Sequence, residues 1–285
     1  MNTSPDHLEP TPPPTPKRRA SDGVGTLVII GGHEDKQGER QILAEIARRI
    51  GEGKLVVTAV ASREPAAYFK GYREVFGALG VKQLADLDVQ NRTESSLPEK
   101  LSVLDDAKGV FFTGGNQLRI TAQIGDTPLE TRIKHVFQAG GLICGTSAGA
   151  SVMCETMLTT GRGGESYKIG DLNMAPGLGL IHNVVIDQHF AERGRMGRLL
   201  GAVAQNPRVL GIGIDEDTAI IVEELKHFTV IGSGAVYVVD GSGVTRSNIT
   251  EGHEERVLTI CDVRLHVLAD GERFDLETRR PLSAG

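Results

Sequence analysis

The stretch GTLVIIGGHED, residues 25–35, decides how this 285-residue chain folds. Leu27, Val28, Ile29 and Ile30 form an unbroken apolar run that stops at a double glycine. A strand with one wet face alternates apolar and polar residues. A continuous run instead predicts a strand covered on both faces, as in a parallel sheet. The glycines then mark the carboxyl end of that strand, where the chain turns towards a helix. Ile42, Leu43, Ile46, Ala47 and Ile50 follow at helical spacing, and Gly51 ends that helix.

The same alternation continues outward. KLVVTAVAS predicts a strand, and Phe69, Tyr72, Phe76 and Leu79 a helix. VKQLADLDV is a shorter strand, GVFFTGGN another that ends in a glycine turn, 128–139 a helix and GLICG a further strand. This grammar predicts an α/β fold, a mostly parallel sheet sandwiched by helices. After about residue 205, VLGIGID, TAIIVE, HFTVIG and AVYVVD stand too close together for crossover helices. They predict additional antiparallel strands towards the C-terminus. With no repeat and no linker, residues 23–285 are expected to form one domain. Residues 1–22 are rich in proline and polar side chains, and are expected to be a disordered tail.

The net charge of −6 gives no electrostatic footprint for nucleic acid. No run approaches the ~20 apolar residues of a membrane span, and the N-terminus has no apolar signal core, so a cytoplasmic location is expected. Cys144, Cys154 and Cys261 cannot all pair and lack metal-ligand spacing. They read as free thiols in a reducing compartment. No cofactor or metal is expected: His33-Glu34-Asp35 has no partner histidine at ligand spacing. A nucleotide-binding module is disfavoured as well, since neither a GxGxxG nor a Walker lysine pattern occurs and Glu34 and Asp35 would repel phosphate.

Four strand ends carry polar or glycine-rich turns: 31–35, 113–116, 145–149 and 187–189. Ligands of open α/β sheets bind beyond the carboxyl ends of strands, so these turns can share one crevice. Gly145-Thr146-Ser147-Ala148-Gly149 matches the G-x-S-x-G turn that presents a nucleophilic serine between strand and helix. The alternative is a packed turn in which Ser147 is incidental. A serine nucleophile needs a base, and His189, placed after the strand VVID, fits best among eight histidines. For the carboxylate that orients the imidazole, the residues leave Glu165 and Asp187 open.

Taken together, GGHEDK, FFTGGNQLRI, CGTSAGASVM, GLGLI followed by DQHFAERGRMGRL, and GIGIDEDTAIIVE resemble the cyanophycinases of serine peptidase family S51. The resemblance runs from about residue 24 to about 240. It implies a class I glutamine amidotransferase-like fold, a homodimer, and hydrolysis of cyanophycin, a polyaspartate whose side chains carry arginine, to β-Asp-Arg dipeptides. Related aspartyl dipeptidases would act on small aspartyl or isoaspartyl peptides instead. The resemblance further implies Ser147 as nucleophile, His189 as base and Glu165 as orienting acid. Ala148 with the Gly114-Gly115 turn would bind the oxyanion. Gln117, Asp187, Gln188, Arg193, Arg195 and Arg198 fall where the family holds substrate, and arginine forks suit carboxylates. One departure is His33, which stands where a third glycine is expected.

Overall fold

Leu27 and Ile29 pack into one apolar layer and Val28 and Ile30 into another. Successive side chains of a strand point to opposite faces, so the unbroken run is what a doubly covered strand requires. The computed structural model describes residues 24–160, 168–169, 172–251 and 256–283; the stretch 1–22 lies outside them.

In chain order, β1 (Thr26–Ile30) leads to α1 (Gln41–Ile50), β2 (Lys54–Thr58), α2 (Pro65–Ala78) and β3 (Gln83–Asp86). Then come α3 (Pro98–Leu101), β4 (Ala107–Phe112), α4 (Gln117–Ile124), α5 (Pro128–Gln138) and β5 (Leu142–Thr146). One helical turn, α6 (Ala148–Ser151), precedes the paired strands β6 (Thr156–Thr160) and β7 (Asn173–Pro176). β8 (Val184–Gln188), α7 (Met196–Gln205) and β9 (Leu210–Ile214) form a further strand–helix–strand unit. Strands complete the chain: β10 (Thr218–Glu223), β11 (His227–Gly232), β12 (Val236–Asp240) and β13 (Arg246–Ser247). The last four are β14 (Ile260–Cys261), β15 (Arg264–Leu268), β16 (Arg273–Asp275) and β17 (Arg280–Leu282).

The main sheet has nine strands in the order β17-β16-β11-β10-β1-β5-β4-β2-β3. From β1 to β3 all neighbours are parallel. From β1 outward to β17 they are antiparallel. A parallel sheet with antiparallel strands added late in the chain is therefore the observed class. The late strands do not form one run of hairpins, however. β9 and β12 leave the main sheet and join β8 and β15 in a four-stranded sheet of order β15-β12-β9-β8. Within it β8 and β9 are parallel, joined through α7. That helix starts at Met196, because Gly194 at φ 59° breaks the right-handed conformation before it.

Side chains of α1 and α2, among them Ile42, Ile46, Tyr72 and Phe76, cover one face of the main sheet. Ile120 and Ile124 of α4, Ile133 and Phe137 of α5, and Ile186, Ile212 and Val238 of the second sheet cover the other. α7 closes the far side of the second sheet with Leu199 and Val203. Among the described residues no helix is long and apolar enough to cross a membrane. Cys144 and Cys154 are free and buried, and burial pushes the Cys154 thiol up to about 12.

Candidate active site

The two sheets meet where β1, β5, β8 and β9 end. His189 N–H donates to Gly31 O at 2.9 Å, Ser147 N–H to Ile30 O at 3.0 Å, and Asp217 N–H to Gly32 O at 2.8 Å. Gly32 has φ 110°, and a Cβ on it would come within 2.4 Å of the His189 ring. Only glycine lets the chain after β1 lie flat against that imidazole.

Ser147 occupies the turn from β5 into α6 with φ 53° and ψ −108°, a conformation L-residues avoid. Close contacts hold it there. A Cβ on Gly145 would lie 2.3 Å from Gly149 O, and one on Gly149 2.4 Å from Phe112 O. The four-residue α6 can therefore press onto β4 and β5. Ala148 is the first residue of that turn, so its N–H has no acceptor within the helix. Gly114 borders the serine: a methyl there would be 3.5 Å from Ser147 Cβ. The corresponding position on Gly115 faces Ala61 instead.

Ser147 Oγ lies 2.9 Å from His189 Nε2, and His189 Nδ1 lies 2.6 Å from Glu216 Oε1. His189 is 3% exposed. Burial pulls its imidazole below the ordinary range, the hydrogen bond to Glu216 pulls it up, and the charge of Arg193 pulls it down again. The net displacement is downward, so the ring is neutral at neutral pH and its Nε2 lone pair can accept the serine proton. Partial burial alone would raise the Glu216 carboxyl; hydrogen bonds from His189 and His33 outweigh it and hold the group below the usual range.

Beneath the serine, Glu34 is 4% exposed and accepts hydrogen bonds from Tyr72 OH and, at 2.6 Å, from Thr146 Oγ1. It ties the turn after β1 to the residue preceding Ser147. Asp35 accepts N–H groups of Gly38, Arg40 and Gln37, which hold its carboxyl at about 2. Asp35 thus holds the loop's own backbone, while Glu34 ties the loop to α2 and β5.

Residues 27–230 match the family model of peptidase family S51. The chain belongs to peptidase family S51. A cyanophycinase from Trichormus variabilis is 41% identical over 261 residues, covering 90% of this chain and 88% of its own. One from Geminocystis herdmanii is 37% identical, covering 90% and 96%. In fold, the chain is similar to the crystal structure of a peptidase from an acI-B1 Actinobacterium, with a TM-score of 0.65 at 22% identity over 89% of this chain and 98% of that one.

In this S51 peptidase the expected substrate-binding run divides in two. Asp187, 0% exposed, accepts from Arg195 Nη1 at 2.9 Å and from Arg198 Nε at 2.8 Å, with a further bond from Arg198 Nη2. Both guanidiniums are buried. Asp187, Arg195 and Arg198, expected to meet substrate, are engaged with one another here. They neutralise one another inside the fold and pin α7 to the end of β8. Arg193 is exposed beside His189. Gln117 Nε2 donates to Leu158 O at 3.0 Å, while Gln188 is buried and its Oε1 makes no hydrogen bond among the described residues. Removing one member of a buried ionic cluster strands the others, at a cost of about 3–5 kcal/mol. Asp187→Ala should accordingly lower the melting temperature by roughly 6–20 °C. Thermal unfolding checks this; an unchanged midpoint would mean that the cluster is not holding α7.

The other expectation concerns the acid that orients His189. Glu165 lies outside the described residues, and the carboxylate on His189 Nδ1 is Glu216. The signal was present: GIGIDEDTAIIVE places Glu216 directly after a strand end. Reading VLGIGID as one of a series of hairpin strands put that end out of consideration. Because β9 runs parallel to β8, its carboxyl end lies beside that of β8, and Glu216 lies beside His189.

Proposed function

We propose that this peptidase degrades cyanophycin, cleaving backbone bonds between aspartyl units and releasing β-Asp-Arg dipeptides. The observation that carries this reading is the 41% identity to a cyanophycinase across 90% of the chain. In the mechanism, Ser147 Oγ attacks the aspartyl carbonyl carbon while its proton passes to His189 Nε2. Glu216 keeps the imidazole in the required tautomer and stabilises its charged form. The oxyanion is met by the N–H of Ala148 and a donor from the Gly114-Gly115 turn. His189 then returns the proton to the departing amine nitrogen, and water, activated by the same histidine, releases the acyl group from Ser147. The strained turn at Ser147 is a nucleophile elbow in this reading, keeping Oγ clear of the backbone for attack.

With Arg195 and Arg198 engaged by Asp187, Arg193 is the arginine of that run left to meet a substrate carboxylate. Gln117 supplies an amide beside the cleft, and the buried Gln188 a further one. A single peptidase domain beginning near residue 23, a homodimeric state and a cytoplasmic location belong to the same reading.

Incubation with purified polymer, followed by mass analysis, tests it. β-Asp-Arg should accumulate, with plain polyaspartate and α-linked Asp-Arg peptides turned over far more slowly. Free arginine as first product would indicate isopeptide cleavage. Turnover of small aspartyl or isoaspartyl peptides without attack on the polymer would indicate a dipeptidase.

A further inference from the structure

His33 stands over the catalytic pair. Its Nδ1 lies 2.9 Å from Glu216 Oε2, while His189 Nδ1 holds Oε1 of the same carboxylate at 2.6 Å. The two imidazoles meet edge to face, centroids 5.0 Å apart at 77°. One ligand atom from each of His33, His189 and Glu216 falls within 4.8 Å of the others. The partner histidine that sequence spacing did not offer to His33 comes from the other sheet.

We propose that His33, His189 and Glu216 form a binding site for zinc or a similar borderline divalent cation, and that its occupation switches the peptidase off. Two imidazoles and a carboxylate are a common zinc donor set, leaving the fourth tetrahedral position to solvent. Donors around a tetrahedral zinc with bonds of about 2.0–2.1 Å lie roughly 3.3 Å apart. The two ring nitrogens, now 2.9 and 2.6 Å from the carboxylate oxygens, therefore have to draw back from it by less than about an ångström. His189 is enclosed, but the His33 side chain is 72% exposed, so it can swing and it leaves the approach open to solvent. The cation would take the place now held by protons between the carboxylate and the two rings. Arg193, whose charge already acts on His189, opposes a cation there. Neutral imidazole donors are what let zinc bind where a hard, weakly coordinating cation would not.

Inhibition follows from the tautomer. In the free enzyme the Nδ1 proton of neutral His189 is given to Glu216, and Nε2 presents its lone pair to Ser147. Zinc on Nδ1 displaces that proton, and the neutral ring then carries its one proton on Nε2. Nε2 can then donate to Ser147 Oγ but not accept from it. The base is lost while the serine stays in place.

The test uses the full-length, chelator-treated enzyme and zinc chloride, with zinc binding followed by competition against a chromophoric chelator and activity measured in parallel. One zinc per chain should bind to wild type and to Ser147→Ala alike, and inhibition of wild type should be reversed by EDTA. His33→Asn tolerates the positive φ of 47° at this position. It should bind zinc at least about tenfold more weakly, since loss of even a supporting partner costs 10- to 100-fold. Cobalt(II) added to wild type should give the visible absorption of a tetrahedral site, absent in His33→Asn. Failure to bind one zinc per chain, or equal zinc affinity in wild type and His33→Asn, would overturn the proposal. Binding is read without substrate, so a wrong substrate assignment leaves this result interpretable.

Discussion

Ser147→Ala is expected to lower kcat on the order of 10⁴- to 10⁶-fold, or about 5–8 kcal/mol of barrier, and to leave the fold intact. Alanine keeps the strained backbone at φ 53° no worse than serine does, and the change removes one hydrogen bond, to His189 Nε2. A stability loss of about 1 kcal/mol is the most that bond accounts for. His189→Ala should be similarly inactive, and the double variant scarcely worse than either, because nucleophile and base act as one unit. Rates on purified polymer beside a thermal melt supply the comparison. Retention of more than about a tenth of wild-type activity in Ser147→Ala would remove the serine from the chemistry.

Glu216→Gln should cost roughly 10²- to 10⁴-fold in kcat. Glutamine preserves the shape but can present its amide N–H to Nδ1, which stabilises the tautomer with a proton on Nε2, facing Ser147. The pH profile distinguishes this from simple unfolding. His189 must be neutral to act, and burial already holds it below the ordinary value of 6.5, so the acidic limb of kcat/KM lies below that pH. Glu216 pulls the imidazole upward, against burial and Arg193. Removing that pull moves the limb further into acid while the plateau drops. Glu165→Gln, made alongside, should stay close to wild type. An alkaline displacement of the limb, or an equal loss at Glu165, would contradict the assignment of Glu216.

What the sequence made legible was local. Unbroken runs such as Leu27–Ile30 and the helical period of Ile42, Leu43, Ile46, Ala47 and Ile50 reflect burial on both faces of a strand and one face of a helix, which neighbouring residues encode directly. The glycine turns marked strand ends for the same reason. Partner choice was not local. Whether VLGIGID pairs with the strand after it or with one before it depends on contacts across a whole helix, and that choice carried Glu216 with it. The ion pairing of Arg195 and Arg198 was hidden by a related cause. An exposed arginine and one buried against an aspartate look alike in a list of residues. Only α7, tied to the end of β8, shows that Asp187 neutralises both.

The two sheets divide the candidate site between them. Ser147 rides on β5 of the nine-stranded sheet, His189 on β8 of the four-stranded one, and Glu216 on the turn by which the chain passes from β9 back to β10. The seam is fastened by main-chain bonds at Gly31 and Gly32, where no side chain can substitute for the close approach. His189 and Glu216 therefore approach Ser147 from across that seam. A slip of an ångström along the seam would break the 2.9 Å contact between Oγ and Nε2 while leaving every strand and helix whole. Catalysis in such a molecule acts as a gauge of alignment, sensitive to loosening that no measure of secondary structure would register.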